Sequence, residues 1–414
     1  MGKRIYGLLG RRLAHSYSVS IHRMMGNADY RLIPLEPEEL PGFMGREDIG
    51  GLNVTIPYKL DVMRYCDRIS PEAREIGAVN TVICRDGKLR GYNTDKYGFE
   101  WMVKRAGIGF SGKKVLILGS GGASRTALAA ARSLGAAETV VVSRSGPENY
   151  GNIGRHADVE ILINTTPAGM YPNNLDAPVS VADFPRCAGV LDVIYNPRRT
   201  ALLMEAERLK IPCAGGLTML VAQAKAAAEL FFDRKIPDGN IPEITGKLRR
   251  ETENIVLIGM PGSGKSEIGK VLSQMTGRPL SDTDDMVSMA VGESIPDIFA
   301  SRGEAAFRAL EREAVRTAAK ESGRIVVTGG GVVLDSGNYP PLHQNARIYH
   351  ILRATELLET AGRPLSGDAA ALGAMSKKRM PLYARFRDAA IENDGAVSDA
   401  AREIWRDFCE NTCD

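Results

Sequence analysis

NIVLIGMPGSGKSEIGKVLSQM, residues 254–275, decides the fold of the C-terminal part of the chain. Its first six residues form an apolar run ending in glycine, the composition of a strand covered on both faces. Residues 259–266, GMPGSGKS, satisfy G-x-x-x-x-G-K-[ST] at every position, and a helical pattern follows them. Strand, glycine turn and helix in that order form a phosphate loop. Glycines let successive backbone N–H groups turn toward phosphate oxygens, and the helix N-terminus adds positive potential. Gly262, Ser263, Gly264, Lys265 and Ser266 are therefore the candidate ATP-binding residues. Lys265 would neutralise the β- and γ-phosphates, and the Ser266 hydroxyl would ligate Mg²⁺.

Downstream, DTD (282–284) stands at the end of a short strand pattern. Alternation along an extended segment puts Asp282 and Asp284 on one side, one carboxylate for Mg²⁺ and the other to orient a hydroxyl nucleophile. Two aspartates alone read equally well as a solvated turn. Upstream, DRKIPDGNIPEITGKLRRETEN (233–254) is polar and proline-bearing, and residues 233–253 read as a linker. Before it, short apolar runs alternate with helical patterns: IYGLLG (5–10), KVLILGSGG (114–122), TVVVSR (139–144), EILINTT (160–166) and GVLDVIY (189–195), with a helix near 217–232. That alternation predicts α/β layers with mainly parallel sheets, in two modules of roughly 1–245 and 250–414.

A second glycine turn, GSGGAS (119–124), follows KVLIL and opens an alanine-rich helix, which is the arrangement of a dinucleotide site. Gly119, Gly121, Gly122 and Ala123 are its candidates. At the end of the next strand, an acidic residue would bond the ribose 2′-hydroxyl of NAD. Ser143, Arg144 and Ser145 stand there instead, so a 2′-phosphate and hence NADP(H) are expected. Too few residues separate Ser145 from the next strand for a helix plus a strand. The stretch GPENYGNIGRHADV (146–159) should be a loop or one turn, leaving a shortened sheet edge.

Bulk composition narrows the class. The chain has 414 residues, 44% apolar and 25% charged, with a net charge of +3, too small to argue for nucleic acid or a membrane surface. Six cysteines without a C-x-x-C pair read as free thiols in a reducing, cytoplasmic setting. His15 and His22 are seven apart, but no third ligand accompanies them, so they are not read as a zinc site.

Two resemblances sharpen this. Beyond the phosphate loop and DTD come IFASRGEAAFRALE (298–311), TGGG (328–331), GRPLSG (362–367) and KRMPLY (378–383). In that order they resemble shikimate kinase across 254–390. The resemblance implies that Asp284 binds the ring hydroxyls of shikimate and helps activate the acceptor, while Asp282 serves the Mg²⁺ shell. It also implies that Arg308 and Arg379 clamp the carboxylate and that Gly330 and Gly331 present backbone N–H groups. Arg363 would swing in with a lid, SGDAAALGAMSKK (366–378), expected to be a mobile flap. The chain departs from the family in TELLETAG (355–362), which lacks an arginine near the adenine.

In the first module, GLLGRRLAHSYSVSIH (7–22), LNVTIPYK (52–59), IGAVNTV (76–82), GYNTDKYGF (91–99), NTTPAGM (164–170), LDVIYNPRRTALL (191–203) and GGLTMLVAQA (215–224) resemble shikimate dehydrogenase. This implies Lys59 and Asp95 as the catalytic pair. Ser16, Ser18, Thr55, Asn80 and Gln223 would bind substrate, with Tyr195 at the site edge and Gly216 and Met219 at the nicotinamide end. Val19 stands where the family usually has proline. The implied architecture is a two-lobed dehydrogenase followed by a phosphate-loop kinase domain over 254–414. Residues 1–98 would form the substrate lobe, completed by a helix near 217–235, and 99–216 a Rossmann-type NADP lobe. The implied activity is NADPH-dependent reduction of 3-dehydroshikimate, then ATP-dependent phosphorylation of shikimate. Alternatives are a quinate dehydrogenase or a non-catalytic NADP sensor for the first module, and another small-alcohol kinase for the second. The oligomeric state is left open.

Overall fold

The computed structural model describes residues 4–13, 16–354 and 369–412, with side chains of the last stretch from 373 onward. Arg363, His15 and the segment 355–362 lie outside the described residues. The chain divides into two compact units. One takes in residues through Asn196 and Thr200–Thr245, the other Pro197–Arg199 and Gly246 onward.

The first unit holds two sheets. The N-terminal sheet is mixed, built from β1 (Ile5–Gly10), β2 (Arg31–Pro34), β3 (Ile49–Val54), β4 (Arg68–Ile69), β5 (Thr81–Arg85) and β6 (Lys88–Tyr92) in the order β2-β1-β3-β5-β6-β4. Parallel pairing joins β1 to β2 and β3, and β5 runs antiparallel to both β3 and β6. The second sheet is wholly parallel, with β7 (Lys114–Leu118), β8 (Glu138–Val142), β9 (Ile161–Asn164), β10 (Gly189–Asp192) and β11 (Cys213–Ala214) in the order β11-β10-β9-β7-β8. Alternation sorts its side chains. Val115 and Ile117 pack with Phe99, Met102 and Ala127 on one face, and Leu116 and Leu118 with Leu162 and Leu202 on the other. The edge beyond β8 is short as expected, since residues 146–159 contain only the 3₁₀ turn Ile153–His156.

The second unit carries a parallel sheet of β12 (Asn254–Gly259), β13 (Leu280–Asp282), β14 (Ile325–Val327), β15 (Ala346–Leu352) and β16 (Ala389–Glu392), ordered β13-β14-β12-β15-β16. Central β12 is buried at all six positions, which explains its unbroken apolar run. Ile255 and Leu257 meet Ile268, Leu272 and Phe408, whereas Val256 and Ile258 meet Val315, Ala318 and Phe386. Among the described residues no helix is long and apolar enough to cross a bilayer.

Three local expectations need correction. The stretch read as a linker contains a helix, Asn240–Thr252. Ile241, Ile244 and Leu248 are buried at i, i+3 and i+7, a helical stripe that the surrounding polar residues obscured. Pro242 falls in the first turn, where its missing N–H costs little. Asp284 is not on an extended segment. Asp282 ends β13 and caps the helix Thr283–Val291, with its Oδ1 accepting the Asp284 N–H at 3.0 Å. Finally, the lid residues from 369 onward belong to the helix Ala369–Phe386, because alanine, leucine and lysine favour helix once packing is available.

Leu257 is fully buried, so Leu257→Ala should lower the stability of the second unit by about 2–5 kcal/mol. Denaturant unfolding followed by Trp405 fluorescence in a Trp101→Phe background checks this, and a loss under about 1 kcal/mol would contradict the packing described.

Candidate active sites

In the second unit the phosphate loop joins β12 to the helix Lys265–Thr276. Gly262 and Gly264 have φ of +81° and +89°, a region that strains other residues. The Lys265 ammonium folds back onto the carbonyls of Gly259 and Met260, each at 2.9 Å. It thus stands in the concavity where phosphate oxygens would sit. The Ser266 hydroxyl donates to Asp282 Oδ2 at 3.2 Å. This hydroxyl–carboxylate pair beside the loop suits Mg²⁺, which takes few protein ligands and completes its shell with phosphate and water.

Lys265, Ser266, Asp282, Asp284, Arg308, Gly330, Gly331 and Arg379 all line one cleft of about 420 Å³. The helix Ile295–Lys320 reaches it from two directions because Gly303, at φ +78°, breaks the helix. Phe299 enters from the first segment, and Phe307, Arg308 and Glu311 from the second. Arg308 is held by Glu311 at 2.8 Å and Glu304 at 3.1 Å, and no side chain could replace Gly331 without striking its guanidinium. Arg379 and the Tyr383 hydroxyl both donate to the Gly330 carbonyl, at 2.9 and 2.5 Å.

Glu311 had no role in the sequence reading, although its i, i+3 spacing from Arg308 was visible there. It is 1% exposed, and its Oε1 has no hydrogen-bond partner among the described residues. The same holds for Asp284 Oδ1. Burial, then the Asp282 and Glu311 charges, push the Asp284 carboxyl up to about 6. A buried acceptor left unsatisfied costs roughly 1–3 kcal/mol. Two such oxygens in one cleft therefore favour a ligand rich in hydroxyl donors.

In the first unit a cleft of about 270 Å³ is lined by Ser16, Ser18, Thr55, Lys59, Asn80, Asp95, Ala123, Tyr195, Gly216, Met219 and Gln223. At its centre Lys59 Nζ lies 2.6 Å from Asp95 Oδ2, with the two side chains only 19% and 12% exposed. Asp95 opens the helix Asp95–Ala106, and Asn93 Oδ1 fixes that start by accepting the Asp95 N–H at 3.1 Å. Asn80 is tied to the same helix start, accepting the Thr94 N–H at 2.7 Å and donating to its hydroxyl at 3.1 Å. The Ser16 hydroxyl donates to that of Ser18 at 3.0 Å, and the Gln223 amide to the Leu220 carbonyl at 2.9 Å. The Tyr195 ring lies 5.3 Å from that of Tyr17, and burial raises the pKa of its phenol. Asn53 and Leu220 also line the cleft and were not anticipated.

Of the dinucleotide candidates, Ala123 lines this cleft. Gly119 has φ +109°, and a Cβ there would come within 2.7 Å of Thr165 Oγ1. Gly121 caps the helix Gly122–Ser133, and a Cβ on Gly122 would stand 3.6 Å from the Lys59 side chain. Ser143, Arg144 and Ser145 follow β8, whose Val142 pairs with Leu118 in β7. Arg144 and Ser145 are exposed. The glycine turn and an exposed cation at the end of the neighbouring strand fit a phosphate-bearing dinucleotide.

Comparison with known proteins agrees at both ends. The family model described as shikimate dehydrogenase substrate binding domain matches residues 8–82, and that described as shikimate kinase matches residues 261–409. A shikimate dehydrogenase (NADP(+)) from Clostridium beijerinckii is 37% identical over 257 residues, 56% of this chain and 95% of that protein. The crystal structure of a chorismate mutase/shikimate 5-dehydrogenase fusion protein from Clostridium acetobutylicum matches with a TM-score of 0.57 and 33% identity, covering 60% of this chain and 98% of that one. That of a Thermus thermophilus shikimate 5-dehydrogenase in complex with NADP(H) and shikimate gives 0.53 and 30%, with 58% and 97% covered. The chain therefore belongs to the shikimate dehydrogenase family through its N-terminal unit and carries a shikimate kinase domain at its C-terminal end.

Proposed function

We propose that the first unit reduces 3-dehydroshikimate to shikimate with NADPH, and that the second transfers a phosphoryl group from ATP to the shikimate 3-hydroxyl. One observation supports the reading: each unit gathers its candidate reacting groups in a cleft next to a glycine turn that joins a strand to a helix. Lys59 stands beside Asp95 in one, and Asp284 beside Lys265 and Ser266 in the other.

In the first cleft NADPH supplies the hydride. The Lys59 ammonium then gives its proton to the oxygen on which charge develops, and Asp95 holds that ammonium in place. Ser16, Ser18, Thr55, Asn80 and Gln223 read the ring hydroxyls and carboxylate, so an acid lacking those hydroxyls would leave them unpaired. In the second, Asp284 orients the acceptor hydroxyl and takes its proton. Arg308 and Arg379 meet the carboxylate, and Lys265 neutralises the phosphates. Ser266 and Asp282 would hold Mg²⁺. The role of Arg363 at the transferring phosphate rests on the resemblance alone. The free thiols Cys66, Cys84 and Cys187 support placing the enzyme in a reducing cytoplasm.

The decisive assay supplies 3-dehydroshikimate with NADPH, or shikimate with ATP and Mg²⁺, to wild type, Lys59→Ala and Lys265→Ala. Lys59→Ala should slow reduction by about 10²–10⁴-fold and spare phosphorylation. Lys265→Ala should do the reverse. Loss of both activities in each variant would contradict two separate sites. For the cofactor, Arg144→Ala should raise the KM for NADPH about 10–100-fold, the worth of one charged hydrogen bond, with little change for NADH. Equal effects on both cofactors would remove Arg144 from the 2′-phosphate.

A further inference from the structure

Asp192 closes β10 and is wholly buried, yet none of the roles above uses it. Its oxygens take three hydrogen bonds. Oδ1 accepts the Ile194 N–H at 3.0 Å, while Oδ2 accepts Asn164 Nδ2 at 3.1 Å and the Thr200 hydroxyl at 2.7 Å. Among the described residues no cation is paired with it, and burial pushes its pKa up to about 6. A buried carboxylate without a cation is expensive, and an apolar residue of similar size would end a strand more cheaply. Fold stability alone gives little reason for it.

Two of these partners lead toward groups already placed at the reductase site. The carbonyl of Ile194 accepts the Gly216 N–H at 2.8 Å. Gly216 caps the helix that carries Met219 and Gln223, and Val193 and Tyr195 on either side of Ile194 line the cleft themselves. Asn164 leads the other way. Its Oδ1 accepts the Thr166 N–H at 3.0 Å and the Thr166 hydroxyl at 2.7 Å. The neighbouring Thr165 bonds the Leu118 carbonyl through N–H at 2.9 Å and hydroxyl at 2.6 Å, immediately before Gly119. Thr200 caps the helix Ala201–Arg208 and so fixes the third partner.

We propose that Asp192 is a positioning residue, joining the dinucleotide turn to the substrate-reading helix and so setting the hydride-transfer distance. This rests on the reductase reading given above. Asp192→Asn keeps shape and one oxygen. In either orientation its amide nitrogen would face an N–H donor, that of Ile194 or that of Asn164, which cannot reverse without abandoning Thr166. The turn and the helix then lose their common tie.

The test uses the full chain, with 3-dehydroshikimate and NADPH carrying hydrogen or deuterium at the transferred position. Thermal unfolding of the same preparations, followed by circular dichroism, reports intact protein. Asp192→Asn should lower kcat about 10–100-fold, the cost of a misplacement near 1 Å. Its KM for 3-dehydroshikimate should stay within about threefold, and the deuterium isotope effect on kcat should rise. A loss that merely tracked unfolded protein would leave the isotope effect unchanged, and that result, like wild-type kinetics, would overturn the proposal. Should the asparagine variant not fold, Thr200→Val decides, with a smaller loss and a raised isotope effect expected and wild-type values contradicting. If wild type reduced no 3-dehydroshikimate, the functional reading would fall. If only the variants behaved as wild type, the role of Asp192 alone would fall.

Discussion

Parallel strand pairing is the constraint on which both sites depend. Parallel strands all end at one edge of a sheet, so the loops that leave them converge there, which is where ligands bind in such sheets. In the second sheet of the first unit, β7 is followed by Gly119, β8 by Ser143 and Arg144, β9 by Thr165, and β10 by Val193. In the second unit the same edge collects the phosphate loop after β12, Asp282 at the end of β13, and Thr328 to Gly330 after β14. Arg353 and Asn393 follow β15 and β16 and bond the carbonyls of Gly262 and Ser263. The chemistry-bearing residues are far apart in sequence and adjacent because of this pairing.

Charge is managed differently in the two clefts. The reductase site places one ammonium against one carboxylate, a pair of no net charge that is largely shielded from water. The kinase site crowds Asp282, Asp284 and Glu311 together and offsets them with Arg308 and Lys265. Its carboxylates are held at raised pKa by burial, and two of their oxygens lack hydrogen-bond partners. Under the proposed function, a hydroxylated ring would supply donors to these oxygens.

Much of this was legible in the sequence because it is written locally. The phosphate loop, the Gly119 turn and the run of β12 are each continuous stretches whose spacing carries the geometry. Lys59 and Asp95 were found through motif resemblance, since nothing in 36 residues of separation announces a 2.6 Å contact. What escaped is what depends on tertiary packing. The helix Asn240–Thr252 hid its stripe of Ile241, Ile244 and Leu248 among charged residues. Asp284 was placed on a strand because the cap formed by Asp282 begins a helix one residue earlier than alternation suggests. Glu311 showed only its i, i+3 spacing from Arg308, and Asp192 carries no local signature, because its oxygens meet Asn164 and Thr200 from other segments.

The claim at the centre is that one ring acid fits both clefts. A crystal structure of the full chain soaked with shikimate, NADP⁺ and ADP tests it most directly. The account predicts two shikimate molecules per chain, one with a hydroxyl against Lys59 and Asp95, the other with a hydroxyl against Asp284 and its carboxylate against Arg308 and Arg379. Shikimate in only one cleft, or a ring in the second cleft turned away from Asp284, would contradict it.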